Sequence, residues 1–200
     1  MATEIGSKQR VTRKAVLRSG GAVVGAAALF GVAPPALAAG GAKGALTFDV
    51  AIDGRTMRIN RRDPTLSNQL PMRGDTFIIG AKIYPGGTFD HGFSGPDQRG
   101  SIGTYTNQAT VYNDFSSGKA PLVVSTHFWQ FDNGDVLITQ GLEGGMMHGV
   151  HCVVGGFGAY AGARGYVKEQ RMKKDNNSLL DLGPMKVRGA NFRYVFTLMQ

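Results

Sequence analysis

Two hundred residues, 42% hydrophobic and 18% charged, suit a single domain with a sizeable core and are too apolar for a disordered chain. Lys and Arg outnumber Asp and Glu by 22 to 14, a net charge of +8, but five of those basic residues and one acidic residue fall within the first 38 positions. Without them the balance is 17 to 13, a net +4, too slight a bias to indicate a nucleic-acid partner.

The N-terminus reads as an export signal. Arg10, Arg13, Lys14 and Arg18 precede the soft apolar run GGAVVGAAALFGVA at Gly20 to Ala33, and Ala36-Leu37-Ala38 follows as a small-residue cleavage pattern. The run is too short and too rich in Gly and Ala for a stable membrane span. Thr12 to Arg18 resembles a twin-arginine signal with Lys in place of the second Arg, and an ordinary secretory signal or a lipid-facing anchor is the alternative. The expected organisation is therefore a signal peptide over 1–38, a linker over 39–44 and one domain over 45–200.

From Ala45 onward the hydrophobic period is close to two. Leu46, Phe48, Val50 and Ile52 alternate with Thr47, Asp49 and Ala51, and Asp53-Gly54 predicts a hairpin turn with a return over Thr56 to Ile59. The basic patch RTMRINRR at Arg55 to Arg62 reads as a solvated face. Residues 60–73 predict a loop, Asp75 to Tyr84 a strand, and the Gly- and Pro-rich 85–100 a long loop of the kind that often borders a site. Strands follow over Ile102 to Asn113, Leu122 to Phe131, Asp135 to Gln140, Met147 to Val154 and Arg164 to Gln170. A polar connection is expected over 171–190, then a last strand over Asn191 to Met199. With no helix after the signal and about eight strands in meander order, the pattern predicts an all-β, eight-stranded antiparallel closed barrel, with a sandwich as runner-up.

Cys152 is the only cysteine, which excludes an intrachain disulfide, and its apolar flanks predict a buried, inert thiol. The stretch CVVGGFGAYAGARGYVKEQ that it opens is a strand pair broken by glycines, as the bends and bulges of a small barrel require. Arg164 sits there among small residues, where its stem can lie along the wall and present a guanidinium to a carboxylate.

VVGGFGAYAGARGYV is similar to the glycine-rich hairpin of the allene oxide cyclase and dirigent protein superfamily. The resemblance extends in collinear order through GDTFIIGAKIYPGGTF at Gly74, IGTYTNQATVY at Ile102, HFWQFDNGDVLITQG at His127 and FRYVFTL at Phe192. It implies an eight-stranded, calycin-like barrel with a hydrophobic ligand cavity, often assembled as a homotrimer, whose members close rings or steer radical coupling. Against the cyclase pattern, Ala81 stands where an asparagine is expected and Ala109 where a pocket cysteine is expected, while Asp49 falls near the first-strand glutamate. Against the dirigent pattern, Glu143 matches a pocket aspartate and Ala163-Arg164-Gly165-Tyr166 matches the small-Arg-Gly-aromatic block. Gly149 falls where some members carry a second arginine.

Asp49 and Glu143 are the candidate catalytic carboxylates, since burial among apolar neighbours would raise their pKa and suit them to proton transfer. A rim carboxylate paired with Arg or Lys is the alternative, above all for Asp49. Arg164 is the expected substrate-positioning cation. Tyr105, His127 and Trp129 are the expected ligand-lining residues, or else ordinary barrel filling. His148 and His151 lie three apart, on opposite faces of a strand, and no acidic residue has ligand spacing to them, so no metal site and no cofactor are expected. No nucleophile elbow, phosphate loop or dinucleotide fingerprint is present. Three functions remain open: an isomerase or cyclase acting on a hydrophobic small molecule, a carrier for such a molecule, and a filled structural barrel.

Overall fold

The computed structural model describes residues 45–66, 71–92, 95–113, 122–144, 149–182 and 185–199. The expected signal peptide and linker, and His148, lie outside the described residues. Eight strands run in chain order: β1 (Ala45–Asn60), β2 (Thr76–Pro85), β3 (Gly103–Val111), β4 (Leu122–Phe131), β5 (Val136–Gly144), β6 (Val150–Phe157), β7 (Arg164–Leu182) and β8 (Met185–Met199). Each pairs antiparallel with the next, and β8 pairs with β1, for example Phe48 with Tyr194, so the sheet closes into a barrel. Closure leaves no unpaired edge. No described helix is long and apolar enough to cross a membrane.

Period-two alternation decides what fills the interior. Leu46, Phe48 and Val50 of β1 point inward with Ala81 and Ile83 of β2, Trp129 and Phe131 of β4, Leu137 of β5, Val153 of β6, Val167 of β7 and Phe196 of β8. Phe48 packs on Phe131 with ring centroids 5.1 Å apart, and Trp129 meets Phe196 edge-on at 5.1 Å. Such aromatic pairs contribute about 0.5–1.5 kcal/mol each beyond burial. One end of the barrel is therefore packed solid.

Three sequence expectations are corrected. Asp53-Gly54 is not a hairpin turn, because β1 continues to Asn60. Four residues, 54–57, oppose only Ile79, a large bulge between the Asp53–Gly80 and Arg58–Ile78 pairs. The bulge holds itself: Asp53 Oδ1 accepts from Arg55 N at 3.0 Å and Arg55 Nε at 2.8 Å, and Thr56 Oγ1 accepts from Gly80 N at 2.7 Å. The polar run 171–190 is not a loop but the far part of the β7–β8 hairpin, with register shifts between Arg171, Asp175 and Leu179. Its polarity has a structural use, since Asn176 Nδ2 donates to Ile52 O at 2.8 Å and Ser178 Oγ accepts from Gly54 N at 3.0 Å, satisfying β1 where its ladder is broken. Cys152 is exposed, because Val153 and His151 take the inward positions on β6.

Glycine permits the closest approaches in the β6–β7 region. Gly165 has φ +144, and a Cβ there would sit 2.1 Å from Thr197 O; Gly158, at φ +66, would place one 2.0 Å from Asp135 Oδ1. No L side chain fits either position.

Candidate functional site

The other end of the barrel interior is polar. Register sets this, because Asn107 of β3 lies opposite His127 of β4, Gly141 of β5 opposite both Ser125 of β4 and His151 of β6, and Glu169 of β7 opposite Tyr194 of β8. His127 and His151 are completely buried, their ring centroids 4.5 Å apart. Glu143, with 19% of its side chain exposed, reaches in from the end of β5. It contacts His127 Nε2 through Oε1, accepts from Ser125 Oγ at 2.9 Å, and accepts a long hydrogen bond from Asn107 Nδ2 at 3.3 Å. Tyr105 and Tyr194 separate this cluster from the apolar end, their hydroxyl oxygens 3.3 Å apart. Tyr105 stacks toward His127 at 5.1 Å and toward Trp129 at 4.8 Å.

Among the described residues, several buried atoms in the cluster have no hydrogen-bond partner. They are Asn107 Oδ1, His127 Nδ1, both ring nitrogens of His151, and Glu169 Oε2. An unpaired buried polar atom costs about 1–3 kcal/mol, so five in one place mark a site built for something other than stability.

The charges set the protonation states. Burial pushes the Glu143 carboxyl up, but the hydrogen bond with His127, the attraction of the His127 and His151 imidazoles and the Ser125 hydrogen bond outweigh it and hold the carboxyl below its ordinary value. The expectation of a raised Glu143 is thus corrected: the carboxylate form is favoured. Burial, reinforced by the negative fields of Glu143 and Glu169, lifts Tyr105 and Tyr194 well above their ordinary values. Both stay neutral and can only donate or accept hydrogen bonds.

Of the residues expected from sequence, Tyr105, His127, Trp129 and Glu143 meet in the interior. Trp129 Nε1 donates to Thr139 Oγ1 at 3.3 Å, deeper than the cluster. Asp49 is buried on the opposite, outer face of β1. Arg193 Nε and Nη2 donate to its two oxygens at 2.8 and 3.0 Å, and Phe89 N donates to Oδ2 at 3.0 Å, so Asp49 pins the 85–92 segment to the wall. It has no access to the interior, and the paired-carboxylate alternative describes it. Arg164 is exposed and donates to Val154 O at 3.0 Å and Ala163 O at 2.9 Å. It lies at the other end of the barrel from Glu143, because Val153 pairs with Gly165 whereas Leu142 pairs with Val150 and Val150 with Lys168. The expected Glu143–Arg164 pair does not form.

Sequence reasoning missed Asn107, Ser125, His151, Glu169 and Tyr194 as site residues. His151 and Glu169 carried a usable signal, since each lies two residues from an inward valine (Val153 and Val167) and therefore shares its face.

No family model and no curated protein matches the chain. Two solved pterocarpan synthase dirigent proteins share its barrel. One aligns at 18% identity over 77% of this chain and 84% of its own, with a TM-score of 0.53. The other aligns at 16% identity over 78% and 96%, with a TM-score of 0.52. The chain has the dirigent-type barrel fold.

Proposed function

We propose that this is an exported barrel that binds a largely apolar small molecule against the polar cluster and steers its cyclisation or isomerisation. Glu143 is the proton-handling group. It takes a proton from one atom of the substrate and returns it to another, so the reaction needs no co-reactant. The observation that carries this reading is the Glu143 carboxylate, reachable from outside yet fixed by Ser125 and His127 beside unpartnered buried nitrogens. Tyr105 and Tyr194, held neutral, close the cluster on the apolar side and present hydroxyls to a bound molecule. The preorganised cluster holds one substrate conformer, and the substrate's own reactivity does the rest. The fold is shared with proteins named as pterocarpan synthases, so it accommodates a synthase site.

The test compares small molecules extracted from wild-type protein and Glu143→Gln after expression in the native host. Isomerisation conserves mass, so the expected result is two species of equal mass and different chromatographic retention. One identical species in both would establish a carrier without turnover. An empty barrel in both would remove the reading.

The reading includes export and assembly. The mature chain should begin at Ala39, checked by N-terminal sequencing, and replacing Arg13 and Lys14 by Gln should retain the precursor if the route is twin-arginine. Light scattering should give about three times the chain mass for a homotrimer.

A further inference from the structure

His151 poses a specific problem. Its ring is completely buried, yet neither nitrogen is hydrogen-bonded to a described residue. Nε2 faces two carboxylate oxygens, Glu169 Oε2 at 3.5 Å and Glu143 Oε1 at 3.8 Å. Both distances are too long to place Nε2 in a good hydrogen bond. They approach the separation of donors arranged round a shared cation: ligand bonds of about 2.0–2.2 Å in a tetrahedron put neighbouring donors about 3.3–3.6 Å apart. His127 adds a further donor, because ligand atoms of His127, Glu143 and His151 all lie within 4.8 Å of one another.

The surroundings fit a cation. Two carboxylates converge on the two imidazoles, and among the described residues no Lys or Arg side chain is bonded to any of the four. The glycines around His151 keep the space open. A Cβ at Gly149 would lie 2.5 Å from His151 Nε2 and 3.2 Å from Glu169 Oε2, and one at Gly141 would lie 2.6 Å from Nδ1. Any larger residue at 149 would fill the gap that Nε2 and Oε2 border. Two imidazoles with two carboxylates make a borderline donor set, which selects zinc-class divalent transition ions over magnesium or calcium.

We propose that His127, His151, Glu143 and Glu169 form a binding site for a divalent transition-metal ion. His127 and Glu143, now in contact with each other, separate as the ion enters, and any proton shared between them leaves. This goes beyond the proton-transfer reading and shares Glu143 with it. With the ion bound, Glu143 is a ligand, and the metal-loaded barrel is not the form that moves protons. The sequence expectation of no metal site rested on spacing along the chain, whereas strand register brings His127, Glu143 and His151 together and sets Glu169 beside His151.

The test uses the full chain, stripped with a chelator and then equilibrated with zinc(II) or cobalt(II). Desalted protein should retain one equivalent of zinc by elemental analysis, and the cobalt form should show the intense visible bands of a four-coordinate site. His151→Ala and Glu169→Gln should each weaken retention at least a hundredfold, with circular dichroism confirming the barrel. Should either variant fail to fold, the cobalt spectrum and a zinc-dependent rise in the wild-type thermal midpoint decide the matter. Failure to retain zinc, retention unaffected by both substitutions, or a six-coordinate cobalt spectrum would overturn the proposal. The extracted-ligand comparison reads the metal-free barrel and these measurements read retention of the ion, so failure of one reading leaves the other standing.

Discussion

Asp49 is a structural carboxylate, unlike the one proposed to handle protons, and Asp49→Asn is the perturbation that shows it. The wild-type carboxylate is fully buried and takes both donors of Arg193 as well as Phe89 N. Donating to the Asp49 carboxylate, and secondarily to Asp90, raises the Arg193 pKa further above its ordinary value against the effect of burial, so the guanidinium stays charged whatever happens to its partner. Removing one member of a buried pair costs about 3–5 kcal/mol, because the other charge is left uncompensated. Here Arg193 keeps 20% of its side chain in solvent and retains Asp90 at 3.1 Å, which places the loss near the lower end, about 3 kcal/mol. For a domain of this size that corresponds to a fall of roughly 6–12 °C in the thermal midpoint. Scanning calorimetry measures it, and the double variant Asp49→Leu with Arg193→Met should recover part of the loss. The small molecule extracted from Asp49→Asn should match the wild-type species. A midpoint unchanged within a degree, or a normal midpoint with a different bound species, would refute the structural assignment.

Gly141→Ala should destabilise by about 1–3 kcal/mol in urea titration, because its Cβ would lie 2.6 Å from His151 Nδ1 and 3.0 Å from Val150 O in a wall that cannot spread. Cys152 should react with one equivalent of a thiol reagent in native buffer, and a thiol silent until denaturation would contradict its outward placement. Asp75 should give stability a pH dependence. Burial pushes its carboxyl up, but hydrogen bonds from Met72 N, Arg62 N and Arg61 prevail and hold it below its ordinary value. A depressed folded-state pKa means that the stabilisation is complete above the unfolded value and is lost as pH falls through the folded one. The advantage of wild type over Asp75→Asn, about 1–3 kcal/mol, should therefore be full at neutral pH and shrink below about pH 4. An advantage that grows on acidification would exclude this account.

The barrel was legible because its strands obey one rule throughout. Leu46, Phe48 and Val50, and later Phe192, Tyr194 and Phe196, keep strict alternation, and a chain of such segments without helices has few ways to bury them all. The rule failed where polar side chains replace apolar ones inside a ladder. Asn176 and Ser178 resemble loop residues, yet they hydrogen-bond the broken edge of β1 more than a hundred residues away, a partner that no local pattern reveals.

The site was legible only in its aromatic wall and in Glu143. Its remaining members lie on five different strands, and their convergence depends on registers that bulges shift, as between Ile138 and Thr139. Asp49 and Arg164 drew attention as charges among apolar or small residues, and that neighbourhood is shared by three different situations: an interior site, a buried surface clamp and an exposed turn. What distinguishes them is face parity. Asp49 alternates with Phe48 and Val50 and so must point away from the core they fill, whereas Glu143 occupies the parity of Leu137 and Thr139. The glycines divide in the same way. Those of the β6–β7 hairpin, Gly158 and Gly165, allow close strand approach at the end where Arg164 lies, far from the polar cluster. Gly141 and Gly149, outside that conspicuous run, leave the space in which His151 stands beside two carboxylates. Glycine density therefore marks where strands of this barrel approach most closely, and the isolated glycines mark where it leaves room beside His151.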